Sequence, residues 1–343
     1  MSSTTWPEVL STLVQGTDLS SDQAGWVMAQ VLAGDASPAQ IAGFAVALRS
    51  KGETVEEVLG LSDAMLAAGN TLSVPGRLLD IVGTGGDRSM SVNISTMAAI
   101  VAAGAGARVV KHGSRSASSQ SGSADVLEAL GIRLDLPVPR VAALAAEVGI
   151  TFCFAAAFHP AMRHAAVPRR ELGIATTFNF LGPLSNPARP HAQAIGCADL
   201  RMAPVMAEVF ARRGVDAWVF RGDDGLDELT VTGTSSVWSV NDGQVEQWSV
   251  GPEDVGLAVN PVEALRGGDV AYNAEVVRRT LAGEPGAVRD AVLLNAGAAL
   301  AVYDATGSER LDQLAAGVAK ASEAIDSGSA QATLERWVAA SAG

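Results

Sequence analysis

The sequence predicts an α/β protein, with a small all-helical N-terminal domain and a large α/β domain built on a mostly parallel sheet. Three observations predict it. Residues 1–72 carry helix starts and stops but no strand signal. From Leu78 onward, short apolar runs alternate with helical segments, the pattern of a parallel sheet covered by helices. The first of these runs, Leu78–Val82, breaks at Gly83-Thr84-Gly85-Gly86-Asp87 and leads through Asn93-Ile94-Ser95-Thr96 into an Ala/Ile/Val-rich helix. A strand, a glycine turn and a helix N-terminus in that order aim backbone N–H groups at one place, where an anion is favoured.

In chain order, Trp6-Pro7-Glu8 opens a helix, and Ser20-Ser21-Asp22-Gln23 and Ser37-Pro38-Ala39-Gln40 are helix entries, the second with Pro in the first turn. Ile41, Phe44, Ala45 and Leu48 recur at helical spacing until Lys51-Gly52, and Thr54-Val55-Glu56-Glu57 starts a further helix. The α/β part then reads as a strand before the glycine turn, a helix over Ile94–Ala103, and a strand at Arg108-Val109-Val110. That strand runs into a long Ser-rich loop, Lys111–Ser123. A helix over Ala124–Leu130 follows, with further strands at Thr151–Phe154, Gln193–Gly196 and Ala217–Phe220 and helices over Val138–Val148 and Met202–Arg213. The stretch Val167–Pro190 reads as a helix and a Pro-punctuated connection, which could return to the helical domain. The expected division is therefore 1–72, joined by part of 165–190, and 73–343. Strand-like pieces at Val237–Val240 and Val245–Val250 precede helices from Asn273 onward.

Composition narrows the class. With 343 residues, 48% hydrophobic and 18% charged, the chain can bury a large core. A net charge of −13 is the wrong sign for a nucleic-acid binder. No uninterrupted run of about 18 apolar residues suggests a membrane span. The segment Met1–Trp6 has neither the basic start nor the apolar core of a signal peptide, so a cytoplasmic enzyme is expected. Cys153 and Cys197 sit in apolar runs and read as reduced core residues. The sparse cations Arg88, Arg108, Lys111 and Arg115 fall around the glycine turn and the next loop, which points to an anionic small molecule.

Several residues carry candidate chemistry. Lys111 suits a phosphate as a point charge, and Ser118, Ser119 and Ser123 offer hydroxyl and amide donors. Alone, a Ser-rich loop is more often a solvated connector; two donor-rich loops after consecutive strands favour a phosphorylated substrate. Asp227-Glu228, in Gly225–Thr230, could hold Mg²⁺, a hard cation that prefers carboxylates, waters and phosphates, although an acidic surface pair is the commoner meaning. The Ser95 hydroxyl could complete such a site, and Asp87 could hold a second ion or accept from substrate hydroxyls. His112 and His159 suit pocket lining, while His164 and His191 read as surface or structural. No Ser–His–Asp set and no metal-type His/Cys spacing can be picked out.

Taken together, D-I-V-G-T-G-G-D (Asp80–Asp87), N-I-S-T (Asn93–Thr96) and K-H-G-x-R-x-x-S-S-x-S-G-S-A-D-V-L-E-A-L-G (Lys111–Gly131) resemble the anthranilate phosphoribosyltransferases. So do H-P-A-M (His159–Met162), R-R-E-L-G (Arg169–Gly173), F-N-x-L-G-P-L-x-N-P-A (Phe178–Ala188), D-G-L-D-E (Asp224–Glu228) and R-D-A-V-L-L-N-A (Arg289–Ala296). The likeness covers effectively the whole chain, and looser pieces are shared with pyrimidine nucleoside phosphorylases, which resemble this family in fold. The resemblance implies a homodimer formed through the helical domain, and transfer of phosphoribose from 5-phosphoribosyl diphosphate to anthranilate in tryptophan biosynthesis, with Mg²⁺. It implies diphosphate-substrate binding at Gly83, Gly86, Asp87, Ser91, Asn93, Ile94, Ser95, Thr96, Lys111, Ser118, Ser119 and Ser123. Mg²⁺ is expected at Ser95, Asp227 and Glu228, and anthranilate at Gly83, Ser114, Arg169, His112 and His159. Lys111, Asp227 and Glu228 are the expected catalytic groups.

The chain departs from the family pattern at three places. Ser114 stands where Asn is usual, Arg88 follows Asp87 where Gly is usual, and Ala156 replaces a usual Pro. These lie on the acceptor side, so a family member using another aromatic amine is the alternative. A phosphorylase-like enzyme and a non-catalytic sensor are further alternatives, which Asp227-Glu228 argue against.

Overall fold

A computed structural model describes residues 4–115, 121–307 and 309–343. The N-terminal bundle comprises α1 (Trp6–Val14), α2 (Ser21–Ala33), α3 (Pro38–Lys51) and α4 (Val55–Ala68). Ser20, Ser37 and Thr54 cap the last three in reciprocal boxes with Gln23, Gln40 and Glu57. Each box satisfies two otherwise orphaned N–H groups and stabilises its helix by about 1 kcal/mol. Glu57 also reaches back, accepting from the Leu19 N–H at 2.9 Å and from Lys51 Nζ at 3.0 Å. That buried carboxylate ties the α1–α2 connection to α4.

Among the described residues, seven strands form one sheet in the order β3-β2-β1-β4-β5-β6-β7. They are β1 (Leu79–Gly83), β2 (Val109–Gly113), β3 (Ile150–Phe154), β4 (Ala192–Gly196), β5 (Asp216–Gly222), β6 (Ser235–Asn241) and β7 (Gln244–Val250). The first five in chain order run parallel, while β6 and β7 form an antiparallel hairpin at one edge. Between β1 and β2 lies α5 (Ile94–Gly104), followed by α6 (Ser123–Ala129) and α7 (Val138–Glu147) before β3. After β3 come α8 (Ala155–Phe158) and α9 (Arg163–Leu172), and α10 (Met202–Arg212) joins β4 to β5. The chain closes with α11 (Val270–Leu281), α12 (Ala287–Asp304), α13 (Arg310–Asp326) and α14 (Ser329–Ala342). Helix α5 is apolar all round because α12, α13 and α14 cover the side that faces away from the sheet.

The other face of the sheet meets the bundle. Ile195, Val219 and Trp238 share one core with Met206 and Phe210 of α10, with Phe44, Leu48 and Leu61 of the bundle, and with Phe178 and Leu184. Helix α9 packs on α2 and α3, and short 3-10 turns at Thr177–Asn179 and Pro183–Ser185 carry the chain back to β4. No described helix is long and apolar enough to cross a membrane.

One expectation changes. Lys111 and His112, expected in the loop after β2, both lie within β2, in register with Phe152 and Cys153 of β3. A central strand continues as long as its backbone groups find partners on both sides. Asp80, on the neighbouring strand, accepts from the His112 backbone N–H at 3.0 Å, and the buried Lys111 and His112 side chains meet the Ile81 and Gly182 carbonyls.

Candidate active site

The strand order places the site. From β1 the chain moves outward to β2 and β3, then crosses back to lay β4 on the other side of β1. At such a switch point the loops leave the carboxyl ends in opposite directions and open a crevice. Gly83 ends β1 and Gly196 ends β4, paired in register at its mouth.

The acidic pair closes onto these two glycines. A Cβ on Gly83 would stand 2.2 Å from Asp227 Oδ2, and one on Gly196 would stand 1.6 Å from the Asp227 carbonyl oxygen. Only glycine admits the 223–234 loop at that distance. Asp227 Oδ2 accepts from the Gly85 N–H at 2.6 Å. Glu228 turns the other way, and its Oε1 accepts from the Ser95 N–H at 3.1 Å, in the first turn of α5. Carboxylates at a helix N-terminus are stabilised by its dipole.

Lys111 enters from below. Its Nζ, on a side chain only 1% exposed, donates to the Ile81 carbonyl at 2.5 Å and to Ser95 Oγ at 3.3 Å. Burial lowers its pKa, and the charges of Asp80, Glu228 and Asp227 oppose that shift. Burial raises Asp80 to about 6, against its bond from Asn186 at 2.7 Å and the charge of Lys111. Burial also raises Glu228 to about 7, with Lys111 opposing and Asp87 adding to the rise. Asp227 lies well above the usual carboxylate range, through burial and then repulsion from Asp87 and Glu228. Asp87 Oδ2 is itself buried without a hydrogen-bond partner.

That donor set fits a divalent cation. Two carboxylates of raised proton affinity, beside a third with an orphaned oxygen, are an unfinished electrostatic arrangement. Among the described residues, however, no three His, Cys, Asp or Glu side chains are grouped to hold a metal by themselves. The arrangement therefore suits Mg²⁺, which keeps waters and takes substrate phosphate oxygens beside one or two carboxylates.

The remaining expected residues divide. Asn93, Ile94, Ser95 and Thr96 form the entry to α5, and Thr96 Oγ1 is buried without a partner. Gly86 and Ser91 lie in the loop between β1 and α5, where Ser91 bridges to Arg266. Ser123 begins α6, whereas Ser118 and Ser119 lie outside the described residues. Ser114 is exposed at the end of β2. His112 is fully buried, with Nδ1 at 3.0 Å from the Gly182 carbonyl and its ring edge-on to His159 at 5.5 Å. Burial pushes it down to about 3, so it is neutral. His159 Nε2 meets the Ser185 carbonyl at 2.8 Å, and burial lowers its pKa too. Arg169 is half-buried over the Phe178 ring at 5.8 Å, and loss of solvent lowers its pKa with no opposing carboxylate.

The expected cation cluster does not form. Arg108 turns to the Pro75 carbonyl at the opposite end of β2. Arg115 pairs with Asp125 at 2.8 Å and with Glu128. Sequence proximity brought these cations together; strand direction separates them.

Residues 75–331 match the a/b domain of the glycosyl transferase family, and residues 7–69 match its helical bundle domain. The chain is 75% identical to an anthranilate phosphoribosyltransferase of a Nocardioides species over 98% of this chain and 99% of that one. It belongs to the anthranilate phosphoribosyltransferase family. Among solved family structures, the anthranilate phosphoribosyltransferase of Thermus thermophilus is 44% identical with a TM-score of 0.91, over 98% of this chain and 99% of that chain. The Saccharomyces cerevisiae anthranilate phosphoribosyltransferase, solved in complex with PRPP and Mg, is 27% identical with a TM-score of 0.89, over 98% of each chain.

Sequence reading missed three asparagines that brace this family site. Asn186 joins Asp80 to the Val110 carbonyl at 2.8 Å. Asn295, fully buried in α12, grips Leu229 through both its N–H and its carbonyl, each at 2.9 Å, and so fixes the residue after Glu228. Asn273 of α11 bonds Asn93 at 3.0 Å. A lone Asn within an apolar run, as in Ala291–Ala296, was a legible signal for the second; Asn273 offered none.

Proposed function

We propose that this chain transfers the phosphoribosyl group of 5-phosphoribosyl diphosphate to anthranilate, giving N-(5-phosphoribosyl)anthranilate and diphosphate, in tryptophan biosynthesis. The observation that carries the reading is the closure of Asp227 and Glu228 onto the glycine turn and the N-terminus of α5. Its likeness to the Nocardioides enzyme supports the choice of substrates.

In this reading the diphosphate substrate lies between the Gly83–Asp87 turn, with Ser91 and the Asn93–Thr96 helix entry, and Lys111 with Ser123; Ser118 and Ser119 are proposed to bind it as well. Ser95, Asp227 and Glu228 would hold Mg²⁺. When bound, the ion neutralises charge on the departing diphosphate. As the C1–O bond breaks, its electron pair leaves with diphosphate, and the amine lone pair forms the new C1–N bond, the amine's surplus proton passing to solvent. Lys111 and the N–H groups of the turn and helix meet the charge where it grows. Anthranilate sits by Gly83, Ser114, His112 and His159. Its carboxylate pairs with Arg169, a partly buried guanidinium that gains a countercharge it otherwise lacks. Orientation of the amine at C1 supplies much of the remaining acceleration.

Residues 1–72 with part of 165–190 act as one helical unit, through which a homodimer forms in the cytoplasm. The exposed Val14, Val46 and Val167 of that region support an apolar contact. Sedimentation equilibrium reads the assembly, and a monomer at micromolar concentration removes it.

The activity test is diphosphate release and loss of anthranilate fluorescence with 5-phosphoribosyl diphosphate, Mg²⁺ and anthranilate. Turnover with other aromatic amines but not anthranilate would move the acceptor, which the exposed Ser114 makes the specific alternative. No release with any amine overturns the reading.

A further inference from the structure

Asn273, in the first turn of α11, is 3% exposed and joins three segments far apart in sequence. Its Oδ1 accepts from the Gly268 N–H at 2.9 Å. Its Nδ2 donates to Asn93 Oδ1 at 3.0 Å, and Asn93 Nδ2 donates in turn to the Ser121 carbonyl at 3.1 Å. Both ends of this relay are backbone groups of fixed polarity, an N–H and a C=O. Each carboxamide between them therefore has one permitted orientation, since flipping either would set oxygen against oxygen and N–H against N–H.

Two further observations show what the relay does. Asn93 occupies the N-cap position of α5 but makes no side-chain bond to that helix. An Asn there ordinarily accepts from the first-turn N–H groups; here its oxygen is already taken by Asn273. Other acceptors serve the helix entry instead: the Val92 carbonyl meets the Ile94 N–H at 2.8 Å and Glu228 Oε1 meets the Ser95 N–H at 3.1 Å. The Gly268 segment, meanwhile, holds the loop after the glycine turn: Val92 N–H donates to the Leu265 carbonyl at 2.9 Å, and Gly267 N–H to the Met90 carbonyl at 2.8 Å.

We propose that Asn273 is a positioning residue for the phosphoribosyl diphosphate site. It withholds the Asn93 oxygen from capping α5, presents the second Asn93 N–H to a phosphate oxygen, and ties the loop after β1 and Ser121, ahead of α6, to α11. This rests on the function proposed above. An aspartate at 273 keeps the size and still accepts from Gly268, but has no N–H for Asn93. The Asn93 amide must then turn, and an oxygen faces the anion.

The test uses the full-length enzyme and Asn273→Asp, Asn273→Ala, Asn93→Ala and Asn93→Ala/Asn273→Asp variants. Steady-state kinetics should show Asn273→Asp raising KM for 5-phosphoribosyl diphosphate at least about tenfold, with KM for anthranilate within about twofold and Tm within a few degrees. In the Asn93→Ala background, Asn273→Asp should add nothing further. An unchanged donor KM, an equal rise in both KM values, a loss that tracks Tm, or additive effects of the two substitutions would each overturn the proposal. Calorimetric binding of diphosphate with Mg²⁺ separates the two readings. Wild-type protein that binds diphosphate without turnover removes the proposed reaction. The relay is then judged on diphosphate affinity alone, which should fall about tenfold in Asn273→Asp; an unchanged affinity overturns it.

Discussion

At the residue scale, closeness is the controlling quantity. Gly196→Ala would drive a methyl group into the Asp227 backbone, which has no side-chain freedom to yield, so this substitution should cost several kcal/mol, about 3 or more, in urea unfolding. Gly83→Ala meets mainly the movable Asp227 carboxylate, so it should instead lower kcat with a smaller loss of stability. Replacing Asp227 and Glu228 together by Ala should abolish Mg²⁺-dependent turnover, and retained activity would remove the metal assignment. His112 gives a pH prediction. A buried base with a folded pKa of about 3 takes its proton only on unfolding. The stability it allows is fully present above the unfolded value near 6.5 and is lost as pH falls from there toward 3. His112→Asn, which can still meet the Gly182 carbonyl, removes that titration. Relative to this variant, wild type should lose about 2 kcal/mol between pH 7 and pH 5 in urea melts. A pH-independent difference would assign the stability to packing.

At the scale of elements, the site loops are braced by helices α11 and α12 through Asn273 and Asn295. Helix α12 packs on the face of the sheet opposite the bundle, and through Asn295 it clamps the backbone beside Glu228. Asn295→Ala leaves a buried N–H and C=O of Leu229 unpaired and should cost about 2–3 kcal/mol. It should also raise the Mg²⁺ concentration needed for half-maximal rate, and an unchanged Mg²⁺ dependence would limit Asn295 to stability. The Asp224 carboxylate organises the same loop, accepting from Leu226 N–H at 3.0 Å and from the hydroxyls of Thr230 and Thr232 at 2.7 Å. Helix boundaries, by contrast, were local matters. The starts of α2, α3 and α4 were readable because Ser20, Ser37 and Thr54 each act within three residues of the N–H groups they satisfy.

At the scale of the whole molecule, α10 joins the bundle to the sheet. Arg213, just past its end, reaches Ser62 Oγ at 2.6 Å, Asp63 at 2.5 Å and the Leu184 carbonyl at 2.7 Å. Arg212 pairs with Glu56 at 2.6 Å. The bundle is thus pinned to the back of the sheet while the crevice stays at its carboxyl end. Saturating 5-phosphoribosyl diphosphate with Mg²⁺, at about a hundredfold over Kd, should stabilise the fold by about 2.7 kcal/mol, read as a rise in Tm. The same Tm shift without Mg²⁺ would count against a metal bridging substrate to the carboxylates.

The sequence by itself determined the alternation of strands and helices, the caps, the glycine turn and the acidic pair, because each depends on neighbours a few residues away. Only the tertiary structure decided that β4 lies beside β1, which opens the crevice and brings Asp227 against Gly83 across more than a hundred intervening residues. It also moved Lys111 from a loop into a central strand, turned Arg108 and Arg115 away, and enlisted Asn186, Asn273 and Asn295. Those outcomes follow from strand order and from the demand that every buried polar group find a partner, and neither is written in local spacing.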